Sequence, residues 1–262
     1  MKIFSVLKHH IAPLKGVMTL GDFRRVRGIA PLTAGKTRIA HSDVYFSDAP
    51  GFLHSAAEIF RDQVYLFEAK TSQPHIIDAG ANIGLSVLYF KSLYPDSTII
   101  AYEPDPTIFK TLQQNVGRFS GVDLRQAAAW TADTELTFYS EGSLAGSTTV
   151  DTEGRQQKLI VRAERLRTEV EKKSVDFLKI DIEGAENELI FDIEDCLDNV
   201  DNLFFEYHST VGSDQRLGDL LNLVKRRGYR YIINGPHGPT LPFVERVSNG
   251  FDLQLNVSCF RC

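Results

Sequence analysis

Residues 75–84, HIIDAGANIG, constrain the fold of this chain more than any other segment. Ile76 and Ile77 predict a short buried strand, and the glycine-rich stretch 78–84 predicts a tight turn. The next ten residues, 85–94, place apolar side chains at helical spacing. A strand, a glycine turn and a helix form the first half of a nucleotide-binding βαβ unit, in which backbone N–H groups face a ligand.

A second apolar run ends in a carboxylate at Glu103, which predicts hydrogen bonds to both hydroxyls of a ribose. The dinucleotide fingerprint G-x-G-x-x-G, placed on Gly80, would need glycine where Asn82 and Leu85 stand, so the turn does not suit a pyrophosphate. Asp78, just ahead of the turn, suits a cationic ligand better. The whole pattern resembles the cofactor site of class I S-adenosylmethionine-dependent methyltransferases; the alternative is a strand and turn that bind nothing.

Residues 175–186, VDFLKIDIEGAE, form an apolar run that ends in acidic residues. This segment closely resembles the signature of the FkbM-type methyltransferases, as do YEPDP at 102–106 and EYH at 206–208. The resemblance extends over Phe52–Arg261. It implies a class I methyltransferase fold and methyl transfer, usually to oxygen, on sugars or secondary metabolites.

Length and composition indicate one large core. The chain has 262 residues, of which 43% are hydrophobic, and no run reaches the about 18 apolar residues that span a bilayer. The N-terminus is a poor signal peptide, and three cysteines are too few for a disulfide framework. We therefore expect a cytoplasmic protein without a transmembrane segment; its oligomeric state is left open.

Charge is unevenly distributed. Residues 1–41 hold eight Lys or Arg against one acid, although the net charge of the chain is −5. We therefore predict a basic N-terminal arm or cap at 1–54 and a methyltransferase domain at 55–262. The arm could make a weak peripheral membrane contact or pack on its own acidic domain. No aromatic interleaving or motif points to nucleic acid.

Alternating apolar strands and amphipathic helices predict an α/β fold: a doubly wound, mainly parallel Rossmann-like sheet whose last strand is antiparallel. Right-handed crossovers then place the site beyond the carboxyl ends of the strands. Residues 1–50 are expected to be irregular, and 55–67 to be helical. The remaining predicted strands are 75–78, 98–103, 122–129, 135–139, 158–162, 175–181, 200–206, 229–233 and 251–260, and the remaining helices are 84–94, 105–118, 164–172, 185–196 and 213–227.

Four predicted strands end in an acid, namely Asp78, Glu103, Asp181 and Glu206. Four carboxylates on one edge of a sheet repel one another unless a cation lies between them. A sulfonium, a bound metal or a cationic substrate would each supply that charge. Strands often end in polar residues because the following loops are exposed to water, but this explains one or two of these acids more easily than all four.

His208 is the predicted proton acceptor, because an imidazole titrates near neutral pH and His208 follows Glu206 by two residues. Glu206 would orient the ring and Asp181 completes the catalytic set; the alternative is a surface histidine. Lys179 is expected to face away from the site. Adenine is expected near 127–130, at the end of the third strand. The predicted cofactor-binding residues are Asp78, Gly80, Ala81, Asn82, Gly84, Glu103, Pro104, Ala128 and Asp181.

A metal is the second interpretation of the same residues. Asp181, Glu183 and Glu206, together with His208, could gather Mg²⁺, which prefers hard oxygen ligands. Mg²⁺ is possible but not expected, because Asp-x-Glu alone is a weak metal signal.

The predicted function is S-adenosylmethionine-dependent O-methylation of a small hydroxylated acceptor, such as a sugar, a lipid-linked molecule or a natural-product intermediate. The acceptor pocket is expected to be built from 1–60, 140–150 and 208–245. A catalytically silent cofactor- or nucleotide-binding module is the alternative, and an NAD-linked oxidoreductase is disfavoured by the glycine spacing.

Overall fold

The computed structural model describes residue 14 and residues 16–140, 146–147, 157–237, 243–244 and 251–261. Its strands are β1 (Gly35–Ile39), β2 (Ser42–Phe46), β3 (His75–Ala79), β4 (Thr98–Tyr102), β5 (Val122–Arg125), β6 (Ala128–Trp130), β7 (Thr134–Ser140), β8 (Gly146–Ser147), β9 (Gln157–Arg165), β10 (Val175–Ile180), β11 (Val200–Thr210), β12 (Arg230–His237) and β13 (Phe251–Phe260). Its helices are α1 (Leu20–Arg27), α2 (Ala49–Ala56), α3 (Leu85–Leu93), α4 (Pro106–Val116), α5 (Leu166–Lys172), α6 (Glu186–Asp192) and α7 (Leu217–Arg226), with a π-helical turn at Ala57–Arg61 and a 3₁₀ helix at Glu194–Asn199.

Seven strands form the main sheet in the order β12-β13-β11-β10-β3-β4-β5. The five strands from β11 to β5 are parallel, and β13 lies antiparallel between β11 and β12. The predicted fold class, a doubly wound and mainly parallel sheet with an antiparallel last strand, is confirmed. Parallel strands bring their carboxyl ends to one rim of the sheet, and the candidate site lies there.

Both faces of the central strands of the sheet are buried, which is why these strands read as continuous apolar runs. Ile76 and Phe177 pack on one face against α1–α4, whereas their neighbours Ile77 and Leu178 pack on the other against α5–α7. Adjacent residues of a strand point to opposite faces, so one apolar run serves two cores. The sheet is therefore a rigid platform for the loops at its carboxyl rim.

The prediction that residues 1–50 are irregular is wrong. Thr19 caps α1 by accepting a backbone N–H, and Phe23 in this helix is buried. β1 and β2 form an antiparallel hairpin joined by Ala40 and His41, both with left-handed backbone. The hairpin was missed because such turns usually carry Asn-Gly, and this one does not.

The segment before β3 also differs from its prediction. A helix was expected at 55–67, but α2 begins at Ala49, where Asp48 accepts the N–H of Gly51 and Pro50 occupies the first turn. An Asp cap followed by proline is a standard helix start. After Ala56 the helix widens into the π-helical turn. The described part of 14–54 shares one apolar core with the rest of the chain; the division at residue 54 remains a prediction.

The predicted strand 122–129 is two strands in two sheets. β5 closes the main sheet, whereas β6 pairs with β9 in a four-stranded sheet of order β6-β9-β7-β8. Arg125 joins the two sheets, because its guanidinium contacts Glu164 of β9 at 3.0 Å and the Tyr102 hydroxyl of β4 at 2.9 Å. Ala128 therefore does not lie at the end of a main-sheet strand.

Other differences concern lengths. β11 runs to Thr210, four residues beyond its predicted end, and the predicted helix 185–196 is α6 followed by the 3₁₀ helix. Among the described residues, no helix is both long and apolar enough to cross a membrane. Residues 1–13, which include part of the basic arm, and most of the predicted acceptor loop 140–150 lie outside the described residues.

Candidate active site

Residues 78–84, here called the glycine turn, comprise the end of β3 and the turn that follows it, and adopt left-handed backbone at every second residue from Gly80 onward. The φ angles are 88° at Gly80, 49° at Asn82 and 89° at Gly84. A Cβ on Gly80 would lie 1.9 Å from the carbonyl oxygen of Asp181, and one on Gly84 would lie 2.7 Å from Leu112 Cδ1. The two glycines therefore let the turn approach the end of β10 and let α3 pack against α4.

The backbone N–H groups of the glycine turn bond within the protein, so the expectation that they face a ligand is wrong. Each donates to a carbonyl or side-chain oxygen at 2.7–3.2 Å. The turn is held in shape by the protein itself. The N–H groups of Gly80 and Ala81 donate to the Tyr102 carbonyl, that of Asn82 to the Glu103 carboxylate, that of Ile83 to the Asn82 side chain and that of Gly84 to the Ala81 carbonyl.

Helix α3 begins at Leu85 with Gly84 as its N-cap, and no side chain caps it. The first N–H groups of a helix have no partner within the helix and carry partial positive charge. Leu85 and Ser86, in this first turn, line the cavity described below. The start of α3 can therefore receive an anionic group of a ligand.

Lys179 lies inside the site, so the prediction that it faces away is wrong. Its ammonium lies 3.1 Å from Asp78 Oδ1 and 3.5 Å from Asp181 Oδ2, and it donates to the Gly80 carbonyl at 2.8 Å. Burial alone would lower the pKa of Lys179, but the surrounding carboxylates outweigh it and raise that pKa. Asp78 is fully buried and also accepts the Ser86 hydroxyl. Lys179 and Asp78 thus fix the turn to β10.

Glu103 supports the glycine turn from the end of β4. Its carboxylate accepts the N–H of Asn82 at 3.0 Å and that of Asp105 at 2.9 Å. Burial raises its pKa to about 8, and the neighbouring Asp105 carboxylate adds to the rise, while the two N–H groups oppose it. Each carboxylate oxygen has a second lone pair, so Glu103 can still accept hydrogen bonds from a ligand.

The carboxylate edge, defined as Asp181, Glu183 and Glu206 with His208, lies at the ends of β10 and β11. Because β11 continues to Thr210, Glu206 and His208 lie on one side of the same strand, as the sequence predicts for a continued strand. His208 Nε2 lies 3.3 Å from Glu183 Oε2 and 3.9 Å from Glu206 Oε1. Its other nitrogen, Nδ1, lies 3.0 Å from Oε1 of Glu186, a fully buried residue of α6.

The sequence predicts that His208 titrates near neutral pH, but its surroundings in the structure raise its pKa. Its side chain is only 1% exposed. Burial alone would lower its pKa, but the carboxylates of Glu186, Glu183 and Glu206 outweigh burial and raise it well above 6.5. Burial and the Asp181 carboxylate likewise raise the pKa of Glu206 to about 9, although His208 opposes this rise. Without a further cation, this edge holds protons rather than accepting them.

A cavity of about 1030 Å³, including its open mouth, joins the glycine turn to the carboxylate edge. The segment around α2 covers one side, and β13 contributes two amides at the other. The lining includes Phe52, Glu58 and Tyr65, then Gly80, Ala81, Asn82 and Ser86, then Lys179, Asp181, Glu183 and Glu206, and finally Gln254 and Asn256.

The structure brings only part of the predicted cofactor set to this cavity. Gly80, Ala81, Asn82 and Asp181 line it, while Asp78 and Glu103 lie behind the turn. The others lie elsewhere: Gly84 packs on α4, Pro104 is half-buried after β4, and Ala128 is buried in the four-stranded sheet.

Two charged residues of the site were missed from the sequence. Lys179 was misread, although a lysine within an apolar strand rarely lies buried without a partner and is itself a signal. Glu186 lies at the start of α6, where a negative charge is favourable at a helix N-terminus. No local pattern in the sequence shows that Glu186 contacts His208 of β11.

The described residues gather a possible metal-binding group different from the predicted one. One ligand atom each from Asp181, Glu206 and His208 lie within 4.8 Å of one another. The predicted set also contained Glu183. The mixed nitrogen and oxygen donors differ from the all-oxygen set that Mg²⁺ prefers.

Comparison with known proteins decides the family. A family model described as "Methyltransferase FkbM domain" matches residues 78–231, more than half of the chain, from the glycine turn to β12. The chain belongs to the FkbM methyltransferase family. Both regions of the candidate site fall within this FkbM domain, so the cavity is the active-site candidate of a methyltransferase.

Two of the relatives of this FkbM-family chain illustrate the similarity. It is 29% identical over 211 residues to Methyltransferase 1 of Beauveria bassiana, covering 71% of this chain and 83% of the relative. It is 25% identical over 212 residues to the 31-O-demethyl-FK506 methyltransferase FkbM of Streptomyces tacrolimicus, covering 67% and 80%. A crystal structure of methyltransferase FkbM from Methylobacillus flagellatus aligns with a TM-score of 0.47 at 17% identity, over 76% of this chain and 46% of that one.

Proposed function

We propose that this FkbM-family methyltransferase uses S-adenosylmethionine to methylate a hydroxyl oxygen of a small acceptor. The observation that carries the proposal is one cavity bounded by both the glycine turn and the carboxylate edge. A donor and an acceptor bound in one cavity react as neighbours, which removes much of the entropic barrier. The relative from Streptomyces tacrolimicus, whose name specifies an O-methylation, supports oxygen as the target.

The charges of the cavity suit this cofactor. Asp181, Glu183, Glu206 and Glu58 line it, whereas Lys179 is the one lysine among the described lining residues and is held by Asp78. An excess of carboxylates favours a ligand that carries a sulfonium and an ammonium group. The uncapped start of α3 suits the one carboxylate of the same molecule.

The remaining contacts follow from position. Glu103 would bind the ribose hydroxyls. Its two carboxylate oxygens accept the N–H groups of Asn82 and Asp105, and each can accept a further hydrogen bond. Ala128 offers no side-chain hydrogen bond to adenine, so backbone groups near Pro104 would recognise that ring. When bound, the cofactor supplies a methyl carbon on cationic sulfur; its transfer to the acceptor oxygen breaks the carbon–sulfur bond, leaves the electron pair on sulfur and releases the hydroxyl proton.

The chain's own residues must position the acceptor and receive that proton. Asp181 and Glu206 face the cavity with about a quarter of each side chain exposed, whereas His208 lies behind them. His208 therefore acts as the buried cation that positions Glu206, while Lys179 contacts Asp181, and the two carboxylates make the direct contact with the acceptor. This modifies the predicted roles: Asp181 and Glu206 contact the acceptor, and His208 orients Glu206.

Calorimetry with S-adenosylhomocysteine, followed by mass spectrometry of methyl-labelled product, tests the proposal. The wild-type chain is expected to bind S-adenosylhomocysteine and to transfer labelled methyl to at least one member of a panel of hydroxylated metabolites. A folded protein that binds no S-adenosylhomocysteine would contradict the proposal. Binding without transfer to any acceptor would favour the silent cofactor-binding module instead.

A further inference from the structure

Three side chains converge at the carboxylate edge with the spacing of metal ligands. Asp181 follows β10, and Glu206 and His208 lie two residues apart on β11. One oxygen or nitrogen from each lies within 4.8 Å of the others. Asp181 and Glu206 line the cavity, so a cation between the three would be open to a ligand on that side.

The orientation of His208 is a second, independent observation. Its Nδ1 is 3.0 Å from Glu186 Oε1, and the Glu186 carboxylate is fixed by the N–H groups of Ile182 and Gly184 at 3.0–3.1 Å. A buried carboxylate that accepts Nδ1–H leaves Nε2 facing the other way, 3.3 Å from Glu183 and 3.9 Å from Glu206. Metal-binding histidines have this arrangement in nearly all proteins, because it sets the tautomer and raises the basicity of the ligating nitrogen. A metal bound at Nε2 would displace the proton that this nitrogen carries when no metal is bound.

The balance of charge points the same way. Among the described residues, the cations beside Asp181 and Glu206 are the His208 imidazole and Lys179, which is shared with Asp78 and the Gly80 carbonyl. Carboxylates removed from water need cationic partners or hydrogen bonds to remain ionised. A divalent cation at this point would balance the edge without movement of another element.

We propose that Asp181, Glu206 and His208 bind a divalent first-row transition ion at the acceptor side of the cavity. The imidazole nitrogen favours an ion such as Mn²⁺ over Mg²⁺, which prefers oxygen ligands only. The set is the predicted Mg²⁺ set without Glu183. The ion would polarise the acceptor hydroxyl and favour loss of its proton; this role rests on the proposed O-methyl transfer, whereas the binding does not.

A titration of the full chain, freed of metal with a chelator and dialysed, tests the binding with Mn²⁺ alone. Electron paramagnetic resonance measures free Mn²⁺ directly. We expect one site per chain, and at least about tenfold weaker binding in Asp181→Asn, because one anionic ligand is lost. Glu188→Gln, an exposed acid of α6, is the matched control and is expected to bind like the wild type. Equal affinity in the wild type and Asp181→Asn would overturn the proposal.

The second measurement needs no variant. Pulsed electron paramagnetic resonance of the wild-type complex is expected to show the coupling of one directly bound imidazole nitrogen to Mn²⁺. A spectrum with oxygen and water ligands only would overturn the assignment of His208.

Calorimetry with S-adenosylhomocysteine in the presence of chelator separates the two proposals. Cofactor binding without a Mn²⁺ site would overturn the metal site and leave the proposed function intact. A Mn²⁺ site without cofactor binding would contradict the function and support the metal site.

Discussion

The glycine turn and the carboxylate edge lie on the same rim of one sheet, but they satisfy their polar groups in opposite ways. Every backbone N–H from Gly80 to Gly84 has a partner inside the protein. At the edge, three carboxylates face one imidazole and one shared ammonium. The turn is therefore complete before a ligand arrives, whereas the edge is completed by a cationic ligand or a metal.

This difference separates shape from chemistry. In the proposed function the turn fixes where the cofactor lies, because its hydrogen bonds preset the backbone. The carboxylate edge favours a cation bound beside it, because added positive charge offsets the repulsion between crowded carboxylates. Lys179 joins the two regions, since it contacts Asp78 and Gly80 on one side and Asp181 on the other.

Removal of Lys179 is the largest expected break in this arrangement. Lys179→Met leaves the fully buried Asp78 without a cation, and we expect the free energy of unfolding to fall by about 3–5 kcal/mol. Chemical denaturation measures the loss, with Lys173→Met, an exposed lysine before β10, as the control. Asp78→Asn added to Lys179→Met should restore part of the stability, because the buried charge is gone. A loss below about 1 kcal/mol would show that the two regions are not joined through this lysine.

Gly80→Ala comes next and tests whether the turn is a preset shape. The new Cβ would lie 1.9 Å from the Asp181 carbonyl oxygen, and the backbone is left-handed, so we expect a loss of about 3 kcal/mol. Gly212→Ala is the matched control: its φ is 84°, but nothing lies within 4 Å, so only the backbone strain of about 1 kcal/mol remains. Equal thermal stability of the two variants would remove the steric argument.

Glu103→Ala sharpens the role of the turn in cofactor binding. At pH 9, where most of Glu103 is ionised, it removes a charged acceptor from the ribose and from the N–H groups of Asn82 and Asp105, so we expect the affinity for S-adenosylhomocysteine to fall by about 2–4 kcal/mol. Calorimetry measures the affinity, and circular dichroism controls for folding. Unchanged affinity would mean that the ribose lies elsewhere.

The pH dependence of cofactor binding is the smallest expected effect. The pKa of Glu103 is raised to about 8, so the ionised fraction that accepts ribose hydroxyls increases with pH. Affinity for S-adenosylhomocysteine should therefore rise about tenfold between pH 7 and pH 9 and level off above that range. Glu103→Gln should lose this dependence and report any other titrating group. A wild-type affinity that is flat or falls with pH would contradict the role of the carboxylate.

The sequence predicted the shape of the site better than its charge pairing. The turn, the strand-end acids and the shared side of Glu206 and His208 follow from local spacing, which a single segment contains. The contacts of Lys179 with Asp78, and of His208 with Glu186, join residues far apart in the chain. No local pattern specifies such pairs.

Two predictions about the fold were wrong, and both have physical reasons. The hairpin at 35–46 turns through Ala40 and His41 in place of the usual glycine, so its signal was absent. The apolar run 122–129 serves two sheets, and apolar character alone does not show where a strand leaves one sheet for another. Burial on both faces likewise removed the alternation that would have shown where Lys179 points.

The most direct test measures the S-adenosylhomocysteine dissociation constant and the turnover number of Glu103→Ala and His208→Ala side by side, with an acceptor from the methyl-transfer screen. The account predicts a crossed pattern. Glu103→Ala weakens cofactor binding, whereas His208→Ala lowers turnover by about 10²–10⁴-fold with nearly unchanged cofactor affinity, because it releases the carboxylate edge and leaves the turn intact. Full turnover in His208→Ala from pH 6 to 9, or a loss of cofactor affinity equal to that of Glu103→Ala, would contradict the division of the site into these two regions.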